Sequence, residues 1–299
     1  MKPFLPAIFI LSLISSCKPN NEKPHGIESK QLNISILWDL SDRINPVSHS
    51  STPSQAQKDI ALINWFTTYF RNEMLRKNFF LAKGKMKVFF SPNPSDSNLS
   101  TMAAKMSVDL SNMSPQTRKS VYQNLSLDFE QAGKHILNAT LQTSQWQGSD
   151  IFRFFKNDVV DYCVSNDPNY RNILVILTDG YVYDKNSKGR IGNQSEYLLP
   201  SLFTSLNLRN NPNFKTIFKT KNCGLICPRK DLENLEILVL EVNSEKHNKN
   251  DEDIIKLYLE KWFAEMNVKR FAIYNTDLPA HTSKRIADFL NQTPHAGTR

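Results

Sequence analysis

The chain has 299 residues, 40% of them hydrophobic and 22% charged, with a net charge of +8 and four cysteines. That length suits one large α/β domain or two small ones, and the apolar share is enough for a real core. Its Lys and Arg residues are scattered along the chain instead of gathered in a block, the pattern of a solvated surface, which argues against a nucleic-acid partner.

Lys2 is followed by a nearly unbroken apolar run at residues 4–14 and then by Ser15-Ser16-Cys17. The run is too short for a membrane span and reads as a secretory signal peptide over residues 1–16. Ile14-Ser15-Ser16-Cys17 resembles the lipobox of bacterial lipoproteins. That resemblance implies that Cys17 becomes the first mature residue and carries a diacylglycerol on sulfur and an acyl chain such as palmitate on its amine. Several chains anchor firmly, because each buried methylene contributes about 0.8 kcal/mol. Residues 17–30 are polar, with Pro19, Pro24 and Gly26, and are expected to form a lipidated flexible tether. Lys18, where an Asp would mark inner-membrane retention under the enterobacterial sorting rule, implies a lipid anchor in the outer membrane of the cell envelope, with either face open. No later run reaches the ~18 apolar residues of a membrane helix.

The remaining elements follow in chain order. Residues 32–40 read as a buried strand, apolar on both faces near its end. Thr52-Pro53-Ser54 looks like a helix start with proline in the first turn, and Ile60, Ile63, Trp65, Phe66, Tyr69 and Phe70 form its stripe to about residue 77. A strand at 85–91 is followed by a polar excursion at 92–114, read as surface loop with room for an edge strand. Pro115 opens a helix region carrying Leu125, Phe129, Ile136, Leu137 and Leu141, and Gly148-Ser149-Asp150 caps another over 151–164. A second central strand covers 171–178. After a long insertion at about 185–231 come a strand at 235–242, a helix at 251–266, a strand at 270–275 and a closing helix at 279–290. This alternation predicts an α/β fold with a doubly wound, mostly parallel sheet and helices on both faces, Rossmann-like in outline, over residues 31–299. Trp65, Trp146 and Trp262 are expected to be packing residues.

Cys163 lies in an apolar helical stretch and is expected to be a buried free thiol. Cys223 and Cys227 bracket Gly224-Leu225-Ile226, and in an exported chain such a pair is first read as a local disulfide. A zinc site would need two further ligands, and His247 is the only neighbour worth naming.

In an open parallel sheet, ligands bind beyond the carboxyl ends of the strands. Asp39 and Ser41 follow the first strand, Asp179 follows the strand at 171–178, and Ser149 begins a helix whose preceding loop must return to that edge. Two carboxylates and two hydroxyls are the ligand chemistry of a hard cation, Mg²⁺ first and Ca²⁺ or Mn²⁺ as alternatives. Taken singly, each residue has a plainer reading as a helix cap or turn residue.

Apolar residues 34–38 leading into Asp39-Leu40-Ser41, and residues 173–177 leading into Thr178-Asp179-Gly180, resemble the metal-ion-dependent adhesion site of a von Willebrand factor A (vWA) domain. The family pattern is Asp-x-Ser-x-Ser after the first strand, a Thr from a middle loop, and an Asp after a later strand. Asp39, Ser41 and Asp179 match their positions and Ser149 takes the place of the Thr. The resemblance implies a vWA-like fold, a divalent cation on these four residues and a protein partner. Two features depart from the pattern: the second Ser is Arg43, whose guanidinium cannot ligate a cation, and residues 42–51 delay the first helix.

Three functions are compatible with these residues. The first is a membrane-anchored extracytoplasmic lipoprotein that binds a protein through a cation. The second is an interaction scaffold on the same fold with a metal-free site, in which Arg43 is the internal counter-charge to Asp39 and Asp179. The third is an enzyme, a metal-dependent phosphohydrolase with Asp39 as nucleophile, but Ser41 stands where its general acid would be needed. No nucleophile and base pair is evident, so a non-enzymatic role is expected.

Overall fold

A computed structural model describes residues 30–93, 96–143, 145–244, 248 and 250–292. The signal peptide, the tether up to residue 29, Cys17 and His247 lie outside the described residues. The main sheet begins with β1 (Gln31–Asp39), followed by α1 (Gln55–Arg76), β2 (Lys85–Ser91), α2 (Ser97–Lys105), β3 (Ser107–Asp109) and α3 (Pro115–Leu141). Next come α4 (Ile151–Arg153), a π-helical turn at Phe154–Asp158, α5 (Val159–Cys163) and β4 (Tyr170–Leu177). The insertion contributes β5 (Arg190–Ile191), β6 (Gln194–Ser195), α6 (Pro200–Ser205), α7 (Phe214–Thr220) and β7 (Gly224–Leu225). The chain then forms β8 (Leu235–Val242), α8 (Asp251–Glu265), β9 (Arg270–Asn275) and α9 (Pro279–Asn291).

The six-stranded sheet has the order β3-β2-β1-β4-β8-β9, parallel throughout except for the antiparallel edge strand β3. From β1 the chain winds first toward β2 and later to β4 on the other side, so the gap between β1 and β4 is the switch point where such sheets bind ligands. Alternation along the strands divides the core in two. Ile34, Ile36, Trp38, Ile173, Val175 and Leu177 point into a cluster with α1, α3 and α9. Leu37, Leu174, Ile176, Ile237 and Val239 point into a second with α4 to α8. Both faces are covered, as a parallel sheet requires. The fold is therefore the doubly wound α/β arrangement that the alternation predicts.

Local chemistry sets the helix starts. Ser54 and Gln57 form a reciprocal capping box, so α1 opens at Gln55 and Pro53 stands before the cap instead of in the first turn. Ser114 accepts from the Thr117 amide with Pro115 at the first helical position. The polar excursion at 92–114 is more structured than a loop. Asp96 accepts from the Asn98 and Leu99 amides to cap α2, and Val108 is buried on the edge strand β3.

The insertion is a working part of the core. Leu198, Leu202, Phe203, Leu208, Phe214 and Phe218 are buried in the second cluster, and β5, β6 and β7 make a small sheet of their own. Within it the expected Cys223–Cys227 disulfide is absent, and both thiols are free. The cause is β7: Gly224 and Leu225 pair with Gln194 and Ser195, and Ile226 donates to the Ser195 carbonyl, which stretches the chain between the two cysteines. Four extended residues span ~13 Å, well past the ~7 Å Cα separation that a disulfide bridges. Cys227 donates its S–H to the Arg229 carbonyl instead. Cys163 is buried and free as expected, and burial pushes its thiol up to about 12.

Candidate functional site

Parallel β1 and β4 pair with Trp38 opposite Leu177, so the residues after them emerge side by side on one rim. Asp39 is 0% exposed; its Oδ1 accepts from the Ser41 amide at 2.9 Å and its Oδ2 from the Thr178 hydroxyl at 2.8 Å. Asp179 follows directly and accepts from the Tyr181 amide at 3.0 Å. Between them Gly180 turns at φ +96°, and a Cβ there would lie 2.5 Å from Ile255, so only glycine fits. Burial, then repulsion from Asp39, pushes the Asp179 carboxyl up to about 8, with Arg43 drawing it partly back. The two acids 140 positions apart therefore share one electrostatic environment.

Ser149 comes from the loop before α4. A Cβ on Gly148 would lie 2.1 Å from the Tyr183 carbonyl, so that glycine permits close approach, and the Ser149 carbonyl accepts from the Tyr183 amide at 3.2 Å. This holds Ser149 against the loop that follows Asp179. Its hydroxyl is buried and has no hydrogen-bond partner among the described residues. Asp150 caps the helix through the Arg153 amide and takes no place on the rim.

Arg43 changes the character of the site. It is buried, 3% exposed, in a short 3-10 turn, Asp42–Ile44, directly after β1. Its Nε donates to the Asp39 carbonyl at 2.9 Å, and its Nη2 donates to the Leu177 carbonyl at 3.0 Å and to Asp59 Oδ2 at 2.5 Å. Nε also lies 3.7 Å from Asp39 Oδ2. Burial opposes the guanidinium charge, but Asp59, Asp39 and Asp179 outweigh it and hold its pKa above the ordinary value. Arg43, the departure from the family pattern, is thus itself a positive charge built into this site. With Arg43 in this place, the Asp39 carboxylate is already matched by a positive charge and two hydrogen bonds. The oxygen set does not fit a further divalent ion centred on Asp39, and among the described residues no three His, Cys, Asp or Glu side chains converge as metal ligands.

A polar network missed at the sequence level extends the site. Asp59 accepts from Trp38 Nε1 at 2.7 Å, from Gln55 at 3.1 Å and from Arg43, while burial pushes its pKa up against all three. Gln55 also donates to Glu241 Oε2 at 3.0 Å, Thr276 donates to the same oxygen at 2.6 Å, and Lys58 donates to the Thr276 hydroxyl at 2.8 Å. Glu241 sits near the end of β8 at φ +72°, in a bulge between Val239 and Val242 where the register with β9 shifts. Glu241, a glutamate at the carboxyl end of the strand directly after the apolar run 237–240, is the signal that could have revealed it.

These groups border a cavity of about 540 Å³ on the rim, lined among others by Arg43, Lys58, Asp179, Glu241, Glu252 and Thr276. His49, from the delayed segment 42–51, also lines it.

No family model matches the chain, and no curated protein matches it. Solved structures do. An aerotolerance-related membrane protein from Bacteroides fragilis aligns over 88% of this chain and 100% of its own, at 13% identity and a TM-score of 0.37. The pilus adhesin SpaC from Lactobacillus rhamnosus GG, in an open conformation, aligns over 88% of this chain at 11% identity and a TM-score of 0.39. The chain spans 30% of the adhesin's length. Overlays this loose carry no argument about the site, so its reading rests on the residues themselves.

Sequence reasoning expected Asp39, Ser41, Ser149 and Asp179 to meet at one edge of the sheet; in the structure Asp39 and Asp179 end adjacent strands, the Ser41 amide bonds Asp39, and Ser149 is held against Tyr183. What that reasoning did not provide is the set that surrounds them: Asp59, Gln55, Lys58, Glu241 and Thr276.

Proposed function

We propose that residues 31–299 form a vWA-like interaction module that binds a protein partner at the carboxyl rim of its sheet, with Arg43 serving as a built-in positive charge. The observation that carries this reading is the buried Arg43 guanidinium set between Asp39 and Asp59. A fixed charge inside the fold removes the need for a bound ion to neutralise the rim. A large polar cavity and the exposed Val47, 90% accessible on the loop after β1, offer a surface for a partner. Asp39 has no exposure and both its oxygens accept hydrogen bonds, a poor arrangement for a nucleophile, which supports a binding role over phosphohydrolase chemistry. In the same reading Cys17 carries the lipid that tethers the module to the cell envelope, at the outer membrane, through residues 17–30.

A cation-dependent version, with Mg²⁺, Ca²⁺ or Mn²⁺ on Asp39, Ser41, Ser149 and Asp179, is favoured by one observation, the unpartnered Ser149 hydroxyl. It requires Arg43 to leave Asp39. Calorimetric titration of the protein with each ion separates the two: absence of heat at millimolar ion supports the built-in charge, and saturable heat abolished by Asp39→Ala supports the cation.

A further inference from the structure

The rim carries more acid than the Arg43 pairing uses. Among the described residues, four carboxyl groups, Asp39, Asp59, Asp179 and Glu241, are gathered there against two basic side chains, Arg43 and Lys58, and Glu252 adds another acid to the cavity wall. This local excess stands out in a chain of net charge +8. Arg43 is held by Asp59 and main-chain carbonyls, with its Nη1 unpartnered among the described residues, and Lys58 is held by Thr276.

Glu241 is the group left over. Among the described residues both of its hydrogen bonds, from Gln55 and Thr276, go to Oε2, and Oε1 has no partner although the residue is 0% exposed and lines the cavity. Leaving a carboxylate oxygen buried and unpaired costs about 1–3 kcal/mol, and the left-handed backbone of a non-glycine residue adds about 1–3 kcal/mol. Strained backbone and unpaired buried acceptors concentrate at ligand sites. The Asp179 carboxyl accepts from the Tyr181 amide and lines the same cavity. No three His, Cys, Asp or Glu side chains converge as metal ligands among the described residues, whereas a monocation with N–H donors needs only acceptors around it. The volume of about 540 Å³ falls within the range of small-ligand sites.

We propose that this cavity receives a cationic nitrogen, the ammonium or guanidinium tip of a lysine or arginine side chain, with Glu241 Oε1 and Asp179 as its acceptors. The inference rests on the interaction-module reading and specifies the chemistry of the partner: a basic anchor residue inserted at the rim.

The test titrates butylammonium and methylguanidinium into the full chain, followed by calorimetry. Saturable binding is expected, weakened at least tenfold in Glu241→Gln and unchanged within twofold in Glu130→Gln, whose site lies on the exposed face of α3. Glu241→Gln keeps a carbonyl oxygen for Gln55 and Thr276 and places an amide N–H₂ where the cation would sit, so it should fold; a melting curve checks this. Ser51→Arg, on the exposed cavity wall, supplies a tethered guanidinium and is expected to block both probes independently of Glu241. A blocked lysine tripeptide binding more tightly than butylammonium supports a partner side chain as the source, and the reverse order overturns it. No saturable binding of either probe at tens of millimolar overturns the cavity assignment and leaves the interaction-module reading standing, because that reading rests on the buried Arg43 pairing and not on what fills the cavity.

Discussion

Arg43 Nη2 lies 2.5 Å from Asp59 Oδ2, joining the turn after β1 to the first coils of α1 in a pair that is 2% and 0% exposed on its two side chains. Breaking a buried pair by removing one partner costs about 3–5 kcal/mol, because the other charge is stranded. Arg43→Met is therefore expected to destabilise the protein by about 3–5 kcal/mol in urea denaturation. Adding Asp59→Asn to that variant should recover more than half of the loss.

If Arg43 occupies the electrostatic role of an ion, vacating it should create a cation site. The double variant Arg43→Ser, Asp59→Asn keeps Asp39, Ser41, Ser149 and Asp179 and removes the competing charge. It is expected to bind Mg²⁺ or Mn²⁺ with millimolar or tighter affinity in calorimetry, where the parent protein shows no heat. Equal silence from both would count against a latent metal centre.

Glu241 gives a pH signature. Burial raises its carboxyl above the ordinary value of 4.5, so the folded state holds the proton more tightly than the unfolded chain. Its stabilising contribution is complete below pH 4.5 and is lost as pH rises through the raised folded value. Glu241→Gln cannot titrate and keeps the bonds from Gln55 and Thr276. Its melting temperature relative to the wild type should improve as pH rises from 4.5 through the raised folded value and then level off. A flat difference across that range would show that the carboxyl is not held protonated.

Free cysteines make a direct chemical prediction. Cys163 and Cys223 are buried and Cys227 is partly accessible. A thiol reagent applied to the folded protein at pH 8 should label Cys227 within minutes and leave the other two untouched, whereas all three should react in denaturant without prior reduction. Mass spectrometry showing a Cys223–Cys227 bridge would contradict the extended β7 geometry.

Gly148 has no room for a side chain, since a Cβ would meet the Tyr183 carbonyl at 2.1 Å. Gly148→Ala must push the two loops apart and is expected to cost about 1–3 kcal/mol by the measure of overpacked sites. Because Ser149 rides on the same loop, any ligand response of the rim should weaken in parallel.

Much of this architecture is local in origin and so was legible along the chain. Strands 85–91, 235–242 and 270–275 and the helices at Pro115 and Pro279 are marked by apolar runs, caps and prolines that act within a few residues. Asp39 and Asp179 meet for an equally simple reason: parallel strands place all their carboxyl ends on one rim, so order in sequence becomes proximity in space. The second core was harder to read, because the residues at 185–231 bury Phe203, Phe214 and Phe218 against α8, a partner far along the chain.

Composition and pattern alone determined the α/β class, the sheet direction and the rim where Asp39, Ser41 and Asp179 gather. Only the tertiary structure decided that Arg43 is buried as a counter-charge, that Glu241 is left with an open oxygen and that Cys223 and Cys227 are held apart. Burial energetics explains the division: a helix or strand is favoured by its own neighbours, whereas the charge a buried group needs comes from whatever distant residue the packing brings within reach.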